Sequence, residues 1–284
     1  MSAVAAARLP RLSRTTKAWL TEWNRIGEQT QFYARTLASI RDAFGAYPAE
    51  TLRMIAQMGL GVEALAIIGG TVGIVGFLTV SAGSIIGVQG YNSLNNIGVG
   101  ALTGFFAAYF MGRVICPLIA VVGLSATIGA GATAQLGAMR INEEIDALEV
   151  MGIRTVAYLA STRVIAGVLV VIPLYCIALV MSYWAARFTT TAVYGQSTGI
   201  YDHYFSTFLA PTDIIWSLFQ AILMGLVVML VHTYYGFNAA GGPAGVGEAV
   251  GRAVRASLIS AVMVILLATL AIYGQNPNFH LSGG

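Results

Sequence analysis

Charge is scarce in this chain of 284 residues: 10% of positions are Asp, Glu, Lys or Arg, where an ordinary soluble domain carries about 25%. Set against 57% hydrophobic residues, that shortage excludes a soluble globular domain and a disordered tail. Cysteine is almost absent. Cys116 and Cys176 both sit in apolar runs, so they exclude a disulfide scaffold and read as small buried hydrophobes. The three histidines, His203, His232 and His280, are far apart and have no metal-ligand spacing. His-Glu-x-x-His and Gly-x-Ser-x-Gly patterns are missing. No catalytic residue, metal or cofactor is therefore expected in the chain, which does not read as an enzyme. The formal charge of +3 gives no nucleic-acid footprint, and no nucleic-acid partner is expected.

What is present is long and apolar. Glu63 is the one charge between Arg53 and Arg113, and the stretches 164–186, 214–247 and 256–284 carry none. About 20 such residues cross a bilayer. The period-two alternation of an outer-membrane barrel is missing. The reading is an all-α polytopic membrane protein with five transmembrane helices, near 62–88, 98–138, 158–186, 212–235 and 252–274. The second run is long enough to be one kinked helix, bent at Pro117, or two spans, 98–112 and 117–138. With five spans and a cytoplasmic N-terminus, 13 of the 15 lysines and arginines fall inside. The positive-inside rule favours that count and puts the C-terminus outside. Arg187 falls outside, and Arg113 is the charge within a span; it is expected to face protein or water. Glu63 is expected to stay hydrated at the bilayer edge. His232, near the end of span four, reads as a packed histidine.

The first 17 residues are basic without an apolar core, so no cleavable signal is expected. Over residues 18–47, Trp19, Trp23, Ile26, Thr30, Tyr33, Leu37, Ile40, Phe44 and Tyr47 recur at steps of three and four. They predict an amphipathic helix along the cytoplasmic leaflet, ended by Pro48, its basic residues near anionic lipid. Packing on another subunit is the alternative. Residues 1–53 read as a basic N-terminal segment and 54–284 as the membrane domain. Pairs such as Gly69 and Gly73, Gly83 and Gly87, and Gly100 and Gly104 let helices approach closely.

Two segments stand out. Residues 135–153 hold four of the twelve acids, Glu143, Glu144, Asp146 and Glu149. Ile141, Ile145, Leu148 and Met151 form an apolar face, with Gly152 as C-cap. This is a short acidic amphipathic helix, about 141–152, on the cytoplasmic side. Acid there opposes the usual basic loop and points to a docking surface for a soluble partner. Residues 234–251 are glycine-rich, but no Gly-Lys-Ser/Thr follows and no strand precedes them. They read as a tight cytoplasmic turn between spans four and five.

Three motifs in order then resemble the MlaE/YrbE permease family of ABC lipid transporters. They are Gln89-Gly-Tyr91, Ala134-Gln-Leu-Gly-Ala-Met139 followed by Glu143-Glu-Ile-Asp-Ala-Leu-Glu-Val-Met151, and Tyr235-Gly-Phe-Asn-Ala-Ala-Gly-Gly-Pro-Ala-Gly-Val-Gly247. The match runs from about residue 25 to 275 and looks most like a B-type YrbE permease of an actinobacterial Mce system. The resemblance implies an inner-membrane permease in a YrbE heterodimer. Its partners would be a cytoplasmic MlaF-like ATPase that holds the ATP and Mg, MCE-domain proteins on the outer face, and a lipid substrate such as a fatty acid or sterol for import. It implies ATPase coupling through Glu143, Glu144, Asp146, Leu148 and Met151. Ile86, Gln89, Tyr91 and Leu94, at the outer end of span one, are the lipid-cavity candidates. The sequence departs from the family pattern where Val114, Ala126-Thr127 and Gln135 replace charged positions. A structural scaffold for the MCE assembly and a secondary lipid transporter remain alternatives.

Overall fold

The computed structural model describes residues 26–59 and 64–274. Trp19, Trp23, the basic residues through Arg25, Glu63 and His280 lie outside the described residues. Every regular element among the described residues is helical. Among the described residues five helices are long and apolar enough to cross a membrane: Gly70–Asn95, Gly100–Ile141, Val156–Val193, Pro211–Phe237 and Gly242–Ile272, here spans one to five. The five-span, all-helical architecture is the one expected from the charge map.

Several boundaries differ from expectation, each for a local reason. Span one continues to Asn95, so Gln89, Gly90 and Tyr91 lie within its last turns rather than after it. It stops where Gly98 takes φ +77°. Val99 N–H donates to Leu94 O (2.9 Å) and Gly98 N–H to Asn95 O (3.0 Å), the two bonds of a Schellman cap. Span two is one unbroken helical run of 42 residues, about 60 Å long at 1.5 Å per residue. Of the two readings left open at Pro117 the single helix is the one observed, with a π-helical segment, Met111–Ile115, just before the proline. Widening the turn there makes room for a ring that would otherwise strike the carbonyl four residues back. Span five begins at Gly242 instead of 252. The glycine-rich segment is thus mostly helix, and the turn shrinks to residues 238–241. Pro243 sits in the first helical turn, where its missing N–H costs no bond.

Spans two, three and four form the centre, with span one laid on span three and span five on spans four and two. The core includes Met111, Leu124, Val164, Val171, Tyr175, Met224, Val228 and Met229. Gly83 and Gly87 bring span one onto span three. A methyl group added at Gly83 would lie 3.0 Å from Ala185 Cβ, and one at Gly87 3.0 Å from Thr189 Cβ. Gly73, by contrast, faces open space. Two π segments lie inside span two, Met111–Ile115 and Ser125–Gly129, and one lies at each end of span three, Val156–Ser161 and Thr189–Val193. Such segments disturb the regular carbonyl ladder, and side chains meet the local carbonyls. Ser217 donates to Gly112 O, Thr133 to Gly129 O (3.0 Å), Arg163 to Leu159 O (3.0 Å) and Thr190 to Ala186 O (2.8 Å).

Among the described residues three short helices precede span one: residues 26–38, Ile40–Ala46 and Pro48–Gly59. The helix expected over 18–47 is therefore interrupted at Ser39, and Pro48 opens the next helix besides ending the previous one. Along the predicted stripe Tyr33, Ile40 and Tyr47 are half-buried, while Ile26, Leu37 and Phe44 are exposed. The stripe straddles the edge of the bundle. Its inner side packs on the chain itself: Ser161 donates to Thr36 O (2.8 Å), Phe32 and Tyr33 meet Tyr234 edge to face, and Tyr47 meets Tyr158. Its outer side offers isolated apolar side chains beside Arg35 and Arg41.

Candidate functional site

The alternation of spans gathers Arg140, Arg154, Arg163, Arg252 and Arg255 at one end of the bundle together with the short N-terminal helices. The acidic helix lies at this basic end. It runs Glu144–Val150 and is closed by a second Schellman cap: Ile153 N–H donates to Leu148 O (3.1 Å), Gly152 N–H to Glu149 O (2.9 Å), and Gly152 takes φ +79°. At its start Glu143 takes φ +59°, a left-handed conformation that costs a non-glycine residue about 1–2 kcal/mol. That residue turns the chain sharply out of span two.

Ile145 is fully buried and packs with Leu136 and Leu159, with Leu148 alongside. Glu143, Glu144, Asp146 and Glu149 are exposed. Met151, expected on the apolar face, is 66% exposed, and its neighbour Val150 is 90% exposed. The correction follows from the cap: the helix ends at Val150, so Met151 no longer follows the helical period. The outcome is an outward surface of carboxylates with two bare apolar side chains at one end. Arg140 holds Asp146 (2.5 Å), and Thr155 donates to Glu149 (2.8 Å). Arg154 ties the following loop to Asp42 of the N-terminal helices (2.5 Å). A shallow crevice of about 350 Å³ opens there, lined by Ser39, Glu149 and residues 152–157.

The lipid-cavity candidates are spread around span one rather than brought to one face. Ile86 packs into both the central and the outer apolar clusters. Tyr91 lies against Tyr194, ring centroids 4.6 Å apart. Leu94 is half-buried at the cap, and Gln89 points outward.

Arg113 faces protein. Its Nη2 lies 2.6 Å and its Nε 3.1 Å from Asp213 Oδ2, and its guanidinium sits 3.9 Å from the centre of the Tyr109 ring. Asp213 occupies the first turn of span four, so the pair marks the outer edge of that span. Span two extends about 20 Å beyond it, from Gly112 back to Gly100, at 1.5 Å per residue. Asp213 went unread as a partner because a carboxylate in a first turn already satisfies the helix dipole. A hundred residues separate it from Arg113 in the chain.

His232 is fully buried. Its Nδ1 is 2.8 Å from Thr133 Oγ1, and its Nε2 is 3.1 Å from Ser125 Oγ and 3.2 Å from Ser257 Oγ. All three partners are hydroxyls, so this is a packed histidine joining spans two, four and five. The hydroxyl partners had no sequence signal, since isolated Ser and Thr are common in spans. Among the described residues no group of three His, Cys, Asp or Glu is placed to hold a metal ion.

Five helices able to cross a membrane, with a short solvent-facing helix between spans two and three, define a polytopic membrane protein. The family model described as Permease MlaE matches residues 61–271, and the chain belongs to that family. A probable ABC transporter permease protein of Rickettsia felis is 24% identical over 261 residues, 88% of this chain and 95% of the relative. The chloroplastic protein trigalactosyldiacylglycerol 1 of Arabidopsis thaliana is 27% identical over 172 residues, 61% of this chain and 49% of the relative. A probable ABC transporter permease protein of Synechocystis is 26% identical over 148 residues, covering 52% of this chain and 56% of the relative. The chain thus spans about half the length of two of these relatives and nearly all of the third. It is an ABC transporter permease subunit, a class consistent with lipid transport, and such a permease implies an ATPase partner.

Proposed function

We propose that this chain is the permease of an ATP-driven Mce-type lipid importer. It would pair with a second YrbE permease, take an MlaF-like ATPase on its basic, cytoplasmic end, and meet MCE-domain proteins on the outer face, in the inner membrane. A B-type YrbE subunit of an actinobacterial system is the subtype its motifs fit. ATP and Mg belong to the ATPase, and this chain converts closure of the ATPase pair into movement of its spans. The positive-inside rule supports the orientation, because the arginine-rich end carries the acidic helix.

The observation that carries the reading is the surface of that helix. Glu143, Glu144 and Asp146 are exposed together with Val150 and Met151, while Ile145 and Leu148 root the helix in the bundle. Exposed carboxylates around bare apolar side chains suit a basic protein partner and suit lipid poorly. A push on the helix would be passed through Ile145 to Leu136 of span two and Leu159 of span three. In this reading Glu143, Glu144, Asp146, Leu148 and Met151 form the ATPase contact. Ile86, Gln89, Tyr91 and Leu94 lie along the outer lipid route.

The test replaces Glu143 and Glu144 by Lys. Uptake of a labelled fatty acid or sterol and ATPase copurification should both fall, the latter about tenfold if the two charges supply roughly 1.4 kcal/mol of docking. Expression should hold, because both side chains are exposed. Unchanged uptake with unchanged copurification would sink the proposal.

A further inference from the structure

The outer part of span two packs apart from the central cluster, against the outer ends of spans one and three and the outer helix. The central apolar cluster includes Met111 and Cys116, with Val121 and Leu124 deeper in. Ala107 belongs instead to a small outer cluster with Ala186 and Tyr201. Residues 103–110 lie along the outer helix Thr198–Phe208. There a methyl group added at Gly104 would come 2.9 Å from Phe205 N, and Phe105 meets Phe208 at 4.6 Å between ring centroids. The boundary between the two clusters falls at the π segment Met111–Ile115. It combines a glycine, a widened turn and Pro117, whose ring gives up one backbone bond.

Across that boundary run a few polar ties. Arg113 is held by Asp213 while lying over Tyr109. Ser217 donates to Gly112 O, and Tyr175 donates to Ser217 Oγ (3.0 Å). Asp213 and Ser217 both sit in the first two turns of span four. Gly112 and Arg113 are on the hinge, Asp213 and Ser217 are on span four, and Tyr175 holds Ser217 to span three. The ion pair is about one-fifth exposed on both sides, so it can open to water without leaving a buried charge stranded.

We infer that span two hinges at Met111–Ile115, and that the Arg113–Asp213 pair is the latch holding the outer layer, residues 100–110 with helix 198–208, closed against the bundle. Opening the latch frees the hinge to bend, so that residues 100–110 and helix 198–208 shift relative to span five while the central cluster stays packed. The inference concerns the chain's own motion and does not depend on which ATPase or lipid it serves.

The experiment measures distance between spin labels at Ile97, beside the outer arm, and Leu266, on span five. Both are exposed. The full chain is placed in lipid nanodiscs, with Cys116 and Cys176 replaced by serine. Asp213→Asn and Arg113→Gln should each add a longer-distance population. The double variant should match the singles, because a latch is lost once. A distribution unchanged by Asp213→Asn overturns the inference. So does a double variant whose shift is the sum of the singles, which would mean two independent roles. If either neutral variant fails to fold, Asp213→Glu keeps the charge while changing its reach. It should then give an intermediate open population, and the unaltered distribution would count against the latch.

Discussion

Span one and span two are both long apolar helices, yet they are attached to the bundle in different ways. Span one meets span three where Gly83 and Gly87 let two backbones touch. Span two is widened by two π segments and, besides close contacts at Gly104 and Gly137, is joined to its neighbours through polar side chains: Ser217 at Gly112, Arg113 at Asp213, and His232 with Ser125 and Thr133. In lipid there is no hydrophobic drive between helices. Close steric fit then contributes much of the association, while single interhelical hydrogen bonds average only about 0.6 kcal/mol and reach about 1.7. The comparison teaches that the regular helix should be fixed by fit and the irregular one by bonds that can be exchanged. A span meant to move is better held by the second kind.

The largest effect should therefore come from spoiling the fit. Gly83→Leu drives a branched side chain into Ser182 O and Ala185. Overpacking of that kind costs about 1–3 kcal/mol, and a backbone collision belongs at the top of the range. Denaturation of the purified chain in mixed micelles should show that loss, with Gly83→Ala between Leu and the parent. The polar knot should matter less. His232→Leu removes the ring between Thr133, Ser125 and Ser257, but Thr133 keeps Gly129 O and Ser125 keeps Ser257 Oγ (2.8 Å). A cost of about 1–2 kcal/mol follows. A result in which His232→Leu destabilises more than Gly83→Leu would invert the comparison and make the histidine the keystone.

The five spans, the acidic helix and its Gly152 cap were legible because each rests on local pattern: apolar length, a cluster of acids, a glycine after a helical period. The π segments were not legible. Nothing in Met111–Ile115 differs in composition from an ordinary turn except its nearness to Pro117, and the other three have no proline beside them. The start of span five was misplaced because residues 242–251, five of them glycine or proline, read as a turn on propensity alone. In the structure a methyl added at Gly137 would lie 2.9 Å from Val246, the first part of span five closing on span two. Tertiary packing decided the matter there. Met151 shows the limit of a face drawn by period alone: the stripe was right up to the residue where the helix stopped.

The weakest tie in the comparison is at the far end, where Arg187 of span three grips Asp202 of the outer helix with two bonds of 2.8 Å. Both side chains are about half exposed, so water screens the pair, and such surface pairs contribute about 0–1 kcal/mol. The guanidinium holds the Asp202 carboxyl below its ordinary pKa of 3.8. A carboxyl depressed on folding adds stability above its unfolded pKa and loses it as the pH falls through the folded value. The contribution should thus be complete near neutrality, begin to fall at about pH 4 and be lost as the pH drops through the lower folded value. Asp202→Asn should lower the midpoint of unfolding slightly at pH 7 and by less at pH 3. Equal losses at both pH values would show that Asp202 acts through the packing of helix 198–208 instead of its charge. The outer layer would then be held by fit, like span one, and its freedom to swing would have to come from the hinge alone.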